Sequence, residues 1–285
     1  MSTQKVRDDY DELATSLCER ALVTLTGDIG LWSERIYLVG GLVPRYLVGT
    51  LPVGVPPHVG TTDVDLVIGI ALADETPETY STLKANLKKS GFKQQKRSYQ
   101  WGRHVEGVAV TVEFLCETDT VAGGDIFAPK GEGAGANFNV LNIPGALLVK
   151  DDFIEVSVEA ERLDKGGLSE VKVRVANVLP FTVLKVLAFQ GRHEPKDAYD
   201  LVYTLLNHPD GPFGCGQAAA QSRIRDELVV VEAIELLRNR FCDAEQDAPV
   251  AYARFLSIGD DENEEARLRQ EAVSVVLEFL DGFDS

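Results

Sequence analysis

Hydrophobic and polar positions follow two different spacings along this chain. In the first part, short apolar runs and alternating segments are bounded by Gly and Pro, which is typical of β-strands. These segments cover residues 36–39, 63–70, 92–97, 103–106, 107–115, 153–158 and 170–175. Helical spacing in the same part predicts helices over residues 9–25 and 77–90. From Pro180 onward the pattern is helical, over residues 181–190, 196–206, 223–241, 250–255 and 264–279.

The change of spacing near Asn177 predicts two domains, which a length of 285 residues allows. We expect an α+β fold with a mixed sheet and flanking helices over residues 1–176, followed by a helical domain over residues 177–285. Residues 50–60 are rich in Pro and Gly and are expected to form a loop. Residues 121–136 are rich in Gly but lack the Gly-Lys-Ser/Thr ending of a P-loop, so they are also interpreted as a loop.

Composition and charge exclude several classes of protein. The chain is 45% hydrophobic and 26% charged, as in globular proteins, and contains no apolar run long enough for a membrane span. Its widely separated cysteines predict free thiols in a reducing cytoplasm. A formal net charge of −17 argues against a protein that coats DNA, because such binding depends on Lys and Arg neutralising phosphates.

Two carboxylates lie two residues apart in the sequence VGTTDVDLVIG. Alternate residues of a strand point to the same face, so Asp63 and Asp65 are expected to project together. Like charges held that close repel each other unless a cation lies between them. Carboxylate oxygens favour a hard ion, Mg²⁺ or Mn²⁺. The sequence therefore predicts a divalent-metal site for phosphate chemistry, with a solvated pair of turn acids as the alternative.

A third acid, Glu113, lies on the polar side of the alternating segment over residues 107–115. With Asp63 and Asp65 it would form a ligand set able to hold two metal ions for an in-line phosphoryl displacement. An exposed strand glutamate is the ordinary alternative for this residue.

Two glycines, Gly40 and Gly41, directly follow the apolar run over residues 36–39. A glycine turn at the start of a helix lets a ligand's phosphate approach backbone N–H groups. The alternative is a tight turn without a ligand.

A second set of charged residues lies in the helical part. Lys185 lies among apolar residues, where an ammonium group is costly unless it is paired. We expect it either to extend to solvent or to reach a bound triphosphate. Arg192 ends the same helix, and Asp197 and Asp200 are spaced to share one face of the next. Stabilisation of the helix start is the alternative role for Asp197.

Positive charge is concentrated between Lys84 and Arg103. A solvated helix face explains much of this concentration. The alternative is a basic rim that attracts phosphate beside the acids.

Two groups of residues carry a resemblance to a known family. Gly40-Gly41, followed by the Thr-Thr-Asp-Val-Asp-Leu strand, resembles the signature of polymerase-beta-like nucleotidyltransferases. Lys185-Val-Leu-Ala-Phe-Gln-Gly-Arg192 and Lys196-Asp-Ala-Tyr-Asp200-Leu are similar to the second half of AbiEii-type nucleotidyltransferases. That group includes toxins of bacterial toxin–antitoxin and phage-abortive-infection systems and the related MenT toxins. The resemblance spans roughly residues 36–206.

The resemblance implies a nucleotidyltransferase-like fold and a Mg²⁺- or Mn²⁺-dependent cytoplasmic enzyme. Such an enzyme moves a nucleoside monophosphate from an NTP to a hydroxyl of tRNA, another RNA, a protein or a small molecule, and an antitoxin protein is an implied partner. The alternative is a non-catalytic relative of the same fold that binds a nucleotide or a protein partner.

The resemblance also implies a role for each candidate residue. The glycine turn would hold the triphosphate, and the aspartate pair would bind metal. Lys185 would contact phosphate with Asp197 or Asp200 in support, and Arg192 would be a further nucleotide contact. From the strand pattern, and not from the resemblance, Glu113 would act as a base or third metal ligand. The residues concerned are Gly40, Gly41, Asp63, Asp65, Glu113, Lys185, Arg192, Asp197 and Asp200.

Overall fold

The structure is a computed structural model that describes Arg7 and residues 10–28, 33–68, 77–129, 138–163, 166–257 and 261–285. These residues pack as two compact units. The sheet unit contains the described residues of Asp11–Val43 and Gly60–Ala176. The helical unit contains the described residues of Pro44–Val59 and Asn177–Ser285, with those of Met1–Tyr10. The sequence predicts a continuous first domain over residues 1–176, whereas Pro44–Val59 belongs to the helical unit.

The described chain forms strands and helices in separate parts of the sequence. The strands are β1 (Ile36–Val39), β2 (Asp63–Ile68), β3 (Lys93–Gln94), β4 (Gln100–Val105), β5 (Val108–Cys116), β6 (Ile126–Phe127), β7 (Val140–Asn142), β8 (Phe153–Glu161) and β9 (Leu168–Ala176). The helices are α1 (Glu12–Asp28), α2 (Pro44–Leu47), α3 (Pro77–Lys89), α4 (Leu148–Asp151), α5 (Val178–Arg192), α6 (Pro195–Leu206), α7 (Gly211–Ala220), α8 (Leu228–Arg240), α9 (Asp247–Leu256) and α10 (Glu262–Phe283).

All strands of the sheet unit that the structure describes belong to one mixed sheet. Its main path has the order β3-β4-β5-β2-β1-β9-β8, with β7 paired to β5 and β6 paired to β7. Strand β2 is central, antiparallel to β1 and parallel to β5. Strands β1 and β9 are also parallel, whereas β4 and β5 are antiparallel. The prediction of a mixed sheet followed by C-terminal helices is confirmed.

Helix α1 covers one face of the sheet and packs against β2, β5, β8 and β9. Leu17, Leu22 and Leu25 are among its buried side chains, whereas Leu13 in the first turn is exposed. The helix begins later than the predicted residue 9, because the side chain of Asp11 accepts a hydrogen bond from the backbone N–H of Ala14 at 2.6 Å and so caps the first turn.

Strands β4 and β5 form a hairpin with a two-residue connection, Glu106-Gly107. Both residues have positive φ, 53° and 84°. Positive φ at both central positions is the geometry that matches the twist of the flanking strands. The hairpin fixes the register of β4 against β5, which decides what lies beside Glu113.

Helix α7, with the sequence GPFGCGQAAA, is absent from the predicted elements. Its small residues give little helical periodicity, but they allow close contact with α10. A Cβ added at Gly216 would overlap the carbonyl oxygen of Phe279, and one at Gly282 would overlap that of Phe213. Tertiary packing therefore forms this helix where sequence propensity does not.

Part of the loop predicted over residues 121–136 contains β6, and residues 130–137, like 69–70 at the end of the predicted central strand, lie outside the described residues. The free thiols are confirmed: Cys18, Cys116 and Cys215 are buried and Cys242 is exposed. Within the described ranges, none of the helices combines the length and apolar character that crossing a membrane requires.

Candidate functional site

The aspartate pair lies on one face of the central strand. Asp63 and Asp65 are half-buried, whereas Val64 and Leu66, which alternate with them, are buried in the core. Residues two apart on a strand are separated by roughly 6.6 Å along its axis, so the two carboxylates are neighbours on the same face. The geometry of β2 therefore places the side chains of Asp63 and Asp65 on the same face of the sheet, as the sequence pattern predicts.

The register between β2 and β5 places Glu113 on the same face. Asp65 is paired with Glu113, and Asp63 with Thr111. Laterally paired residues of a sheet point to the same side. Glu113 accepts a hydrogen bond from Nε2 of Gln100 at 2.5 Å, and Gln100 is its register partner on β4. Three adjacent strands therefore present polar side chains in one row.

The position of Asp63 is fixed by its own loop. The hydroxyl of Thr61 donates a hydrogen bond to Oδ1 of Asp63 at 2.7 Å. The backbone N–H of Thr61 in turn donates to the hydroxyl of Thr15 on α1 at 3.0 Å. Cys18, one turn further along α1, donates its S–H to the carbonyl of Thr61 at 3.8 Å. Burial raises the pKa of the Cys18 thiol, with Asp63 adding to the effect, so the thiol stays neutral beside the acid.

The glycine turn meets the aspartate pair directly. Gly40 begins a single 3-10 turn after β1 and has a φ of 75°, which favours glycine. A Cβ added at Gly40 would overlap Oδ2 of Asp65. Gly41 is buried within the same turn. The turn and the acid, far apart in sequence, are therefore in contact, and only glycine at position 40 permits it.

Replacing Gly40 with Ala is expected to destabilise the sheet unit more than an ordinary positive-φ glycine would. The backbone strain costs about 1–2 kcal/mol, and overlap with Asp65 adds about 1–3 kcal/mol. Urea denaturation measures the change in free energy of unfolding. Gly124→Ala is the control, because Gly124 has a φ of 86° and open space around its Cβ position. Equal losses in the two variants would contradict the close packing against Asp65.

Tyr99 is a further residue near the acids that the sequence motifs do not indicate. The hydroxyl of Tyr99 accepts a side-chain hydrogen bond from Arg97. Burial raises the pKa of the Tyr99 hydroxyl, and the carboxylates of Glu113 and Asp65 contribute, which places this residue within electrostatic range of both. Thr61 bonds Asp63 and Gln100 bonds Glu113, and the folded sheet, not a sequence motif, brings Gln100 and Tyr99 to the acids.

The donor set suits a divalent cation in part. Asp63 and Asp65 offer the carboxylate oxygens that Mg²⁺ and Mn²⁺ prefer. However, among the residues that the structure describes, no group of three or more His, Cys, Asp or Glu side chains is arranged to hold a metal ion. The hydrogen bond from Gln100 holds Glu113 at the register position beside Asp65. The aspartate pair therefore has the chemistry that a divalent cation requires, and metal binding by the pair, with or without a third protein ligand, stays a prediction.

The charged residues of the helical unit form a separate buried network. The ammonium of Lys185 on α5 donates to Asp197 at 3.1 Å and to Asp200 at 2.6 Å, both on α6. Arg192 donates twice to Asp197, from Nε and Nη2, at 2.7 Å each. Lys185 and both aspartates are buried, whereas 61% of the Arg192 side chain is exposed. Lys185 thus has two carboxylate partners inside its own unit.

Asp200 is the centre of this network. Its carboxylate accepts hydrogen bonds from Lys185, from Lys196 at 2.7 and 2.9 Å, and from Nε2 of His58 at 2.8 Å. Burial alone would raise the pKa of Asp200, but the two ammonium groups outweigh it and hold the pKa far below its usual range. Burial alone would likewise lower the pKa of Lys185, and Asp200 and Asp197 instead raise it. Lys185 and Asp200 therefore stay charged at neutral pH.

His58 is the member of the network that sequence patterns do not indicate. It comes from the segment Pro44–Val59, stacks on Tyr199 with ring centroids 5.2 Å apart and meets Tyr203 edge-on. Burial lowers the pKa of His58, against an opposing effect of Asp200. At neutral pH the ring is therefore uncharged and donates its Nε2–H to the carboxylate.

The burial of neutral His58 predicts acid-sensitive stability. Its pKa is lowered in the folded state, so its contribution is present above the unfolded-state pKa of about 6.5 and is lost as pH falls below it. Between pH 6.5 and 5, the free energy of unfolding should fall more in the wild type than in His58→Gln, which keeps an N–H donor but does not titrate; linkage limits the difference over this interval to about 2 kcal/mol. Denaturant titrations at each pH measure this, with exposed His104→Gln as control. Parallel pH profiles for wild type and His58→Gln would rule the effect out.

The chain matches no protein-family model, no curated protein and no solved structure. The resemblance to AbiEii-type nucleotidyltransferases therefore rests on the sequence motifs, and family membership stays a prediction.

Proposed function

We propose that this chain is a metal-dependent nucleotidyltransferase that moves a nucleoside monophosphate from an NTP to an acceptor hydroxyl. The observation that carries the proposal is the row of Asp63, Asp65 and Glu113 on adjacent strands, with Gly40 packed against Asp65. This arrangement joins the two halves of the sequence signature, the glycine turn and the aspartate pair, in one place within the sheet unit.

Asp63 and Asp65 would hold a divalent cation, which when bound supplies positive charge to the triphosphate during transfer. Because Gly40 has no side chain, the backbone of the turn lies directly against the Asp65 carboxylate, and a phosphate bound through the cation would lie beside this turn. Thr61 holds Asp63 in place through its 2.7 Å hydrogen bond. Positioning of this kind is the main protein contribution to phosphoryl transfer.

Glu113 would accept the proton of the acceptor hydroxyl. The acceptor oxygen forms a bond to the α-phosphorus, the bond from that phosphorus to the β-phosphate oxygen breaks, and pyrophosphate leaves. The hydroxyl proton moves to the Glu113 carboxylate and then to solvent. Gln100, which donates to Oε1 of Glu113 at 2.5 Å, would orient the carboxylate for this step.

The predicted phosphate contact of Lys185 and Arg192 stays a prediction. Within the helical unit the ammonium of Lys185 binds Asp197 and Asp200, and Arg192 binds Asp197. We assign this network a structural role in holding α5 against α6. Arg192 is the exposed residue of the four, so its guanidinium is the group best placed to contact a phosphate.

The second candidate is a non-catalytic relative that binds a nucleotide or a protein partner. The observation in its favour is that, in the part of the chain that the structure describes, no metal-binding group of three or more side chains is assembled. A pair of aspartates can bind a metal–nucleotide complex without completing a transfer site.

Labelled nucleotides distinguish the two candidates. The protein is incubated with each α-phosphate-labelled NTP, Mg²⁺ and either total RNA or cell extract, and covalent label and free pyrophosphate are measured, with an EDTA arm. Transfer predicts label in RNA, protein or a small molecule, matched by pyrophosphate and abolished by EDTA. Calorimetric binding of NTP without label or pyrophosphate in any arm would instead establish the non-catalytic candidate.

A further inference from the structure

The side of the sheet that carries Asp63 and Glu113, the acid face, continues onto β4 and β3. Asp63 is paired with Thr111 on β5, and Thr111 with Gly102 on β4. Gly102 is paired in turn with Lys93 on β3. Laterally paired residues point to the same side of a sheet, so this row lies on the acid face. Its members are half-buried or exposed, unlike the buried residues that alternate with them on β2 and β5.

The positive charge concentrated over residues 84–103 is divided between the two faces of the sheet. Arg103 on β4 points away from the acid face and donates to the backbone carbonyl of Ser90 at 2.6 Å. Lys93 lies on the acid face, but three strand spacings of about 4.8 Å separate it from Asp63, roughly 14 Å in all. The turn between β3 and β4 is the part of this segment that comes close to the acids.

This turn is held against the strand that carries Glu113. The backbone N–H of Gln100 donates to the carbonyl of Arg97 at 2.9 Å, which closes the turn. The backbone N–H of Phe114 donates to the carbonyl of Tyr99 at 3.2 Å. Since Phe114 directly follows Glu113 on β5, the end of the turn lies beside this acid.

Arg97 is an exposed cation in the turn. Its guanidinium donates a hydrogen bond to the hydroxyl of Tyr99. Burial raises the pKa of that hydroxyl, and the carboxylates of Glu113 and Asp65 raise it further. The guanidinium is therefore bonded to a group that lies within electrostatic range of both acids.

A transferase site of the proposed kind uses protein cations as well as a metal ion to offset charge on the transferring group. The resemblance gives a phosphate contact to Lys185, but within the helical unit its ammonium is bound by Asp197 and Asp200. A guanidinium has five N–H donors in a planar fork, so one that binds a hydroxyl can also bind phosphate oxygens. Arg97 offers this chemistry inside the sheet unit.

The acids order the reacting groups across the sheet. The turn at Gly40 contacts Asp65, which is paired with β1 on one side and with Glu113 on the other. In the proposed reaction the pyrophosphate would lie towards the glycine turn and the acceptor hydroxyl at Glu113, because the leaving and attacking oxygens are roughly in line. The α-phosphate would then lie between Asp65 and Glu113, the two acids that act on the hydroxyl bound by Arg97.

We propose that Arg97 binds the α-phosphate of the NTP and stabilises the charge on this group while it is transferred. The inference rests on the proposed function and adds a residue that neither sequence motif contains. Arg97 gives up no proton and forms no covalent bond in this step. The acceptor oxygen bonds to the α-phosphorus, the bond to the β-phosphate oxygen breaks, and the hydroxyl proton moves to Glu113.

Transfer and binding test this assignment separately. Transfer is measured with α-phosphate-labelled NTP, and binding by calorimetry with Mg²⁺ and the α,β-methylene analogues of the four NTPs, which cannot release pyrophosphate. Arg97→Gln should lower kcat about 100-fold or more and raise the Kd of the analogue about tenfold. The urea midpoint should stay unchanged, because the side chain is exposed. Arg97→Lys, which keeps the charge without the planar fork, should recover part of the lost kcat.

Lys93→Gln is the matched control, since it removes the same charge from the acid face. It should change kcat and Kd by less than about threefold, because exposed charges more than a Debye length apart are largely screened. If the wild type transfers nucleotide, a normal kcat in Arg97→Gln or equal losses in both variants would overturn this inference and leave the proposed function standing.

Absence of transfer by the wild type would contradict the proposed function, and the analogue would then decide the role of Arg97. A Kd raised about tenfold in Arg97→Gln and unchanged in Lys93→Gln would still support the phosphate contact. Equal affinity of the wild type and Arg97→Gln, or no binding of any analogue, would overturn it.

Discussion

Replacing Asp63 with Asn should reduce nucleotide transfer at least about 1,000-fold while leaving the fold intact, because the variant removes one of the two charges that would hold the cation. The amide keeps the size of the side chain and an oxygen that can accept the hydrogen bond from Thr61, which is 2.7 Å long in the wild type. Label incorporation measures transfer, and the midpoint of urea denaturation measures stability. If the substitution affects the chemistry and not the fold, label incorporation falls while the urea midpoint stays unchanged.

The Asp119→Asn variant is the matched control for this prediction. Asp119 is an exposed carboxylate of the same unit, so the variant makes the same change in net charge away from the acid row. It should retain full transfer. Full transfer by Asp63→Asn itself would remove the aspartate pair from the mechanism and with it the proposed function.

The second large effect is expected on stability, at Asp200. In the wild type, Lys185 and Lys196 both donate to the buried carboxylate of Asp200. In Asp200→Asn the two ammonium groups face an uncharged amide instead. Breaking one side of a buried ion pair costs about 3–5 kcal/mol. Denaturant titration should show this loss in free energy of unfolding, whereas Asp226→Asn, an exposed control in the helical unit, should change it by less than about 0.5 kcal/mol.

A double-mutant cycle shows whether the ion pair itself is responsible. Lys185→Met leaves Asp197 with Arg192 and leaves Asp200 with Lys196 and His58. The double variant Lys185→Met/Asp200→Asn should therefore be less destabilised than the sum of the single variants, by about 1–3 kcal/mol. Strict additivity would mean that Lys185 and Asp200 act independently, and the structural role assigned to their contact would be wrong.

Strand patterns in the sequence predict much of the sheet unit. The alternation in residues 107–115 identifies the buried and polar sides of β5, and the spacing of Asp63 and Asp65 identifies their common face. Neither pattern contains the register between strands. The pairing of Asp65 with Glu113, and of Glu113 with Gln100, depends on a parallel pairing and a hairpin turn that are properties of the folded sheet.

The helical unit shows where local patterns are insufficient. Helix α7 is stabilised by its glycine contacts with α10 and has no strong helical period of its own. His58 reaches Asp200 across 142 positions of sequence, so no spacing rule could connect them. A buried lysine in an apolar helix does predict that a partner exists, but which carboxylates it binds is set by how α5 packs on α6.

The course of the chain through the two units has a consequence for producing them separately. The chain leaves the sheet unit after Val43, contributes Pro44–Val59 to the helical unit and returns at Gly60. A fragment of residues 177–285 would therefore lack the imidazole that donates to Asp200 and the Pro56 carbonyl that accepts from the Tyr203 hydroxyl at 3.1 Å. Cutting the chain at one position therefore cannot give two fragments that each contain a whole unit. A helical fragment that includes Pro44–Val59 needs a new linker between this segment and residues 177–285.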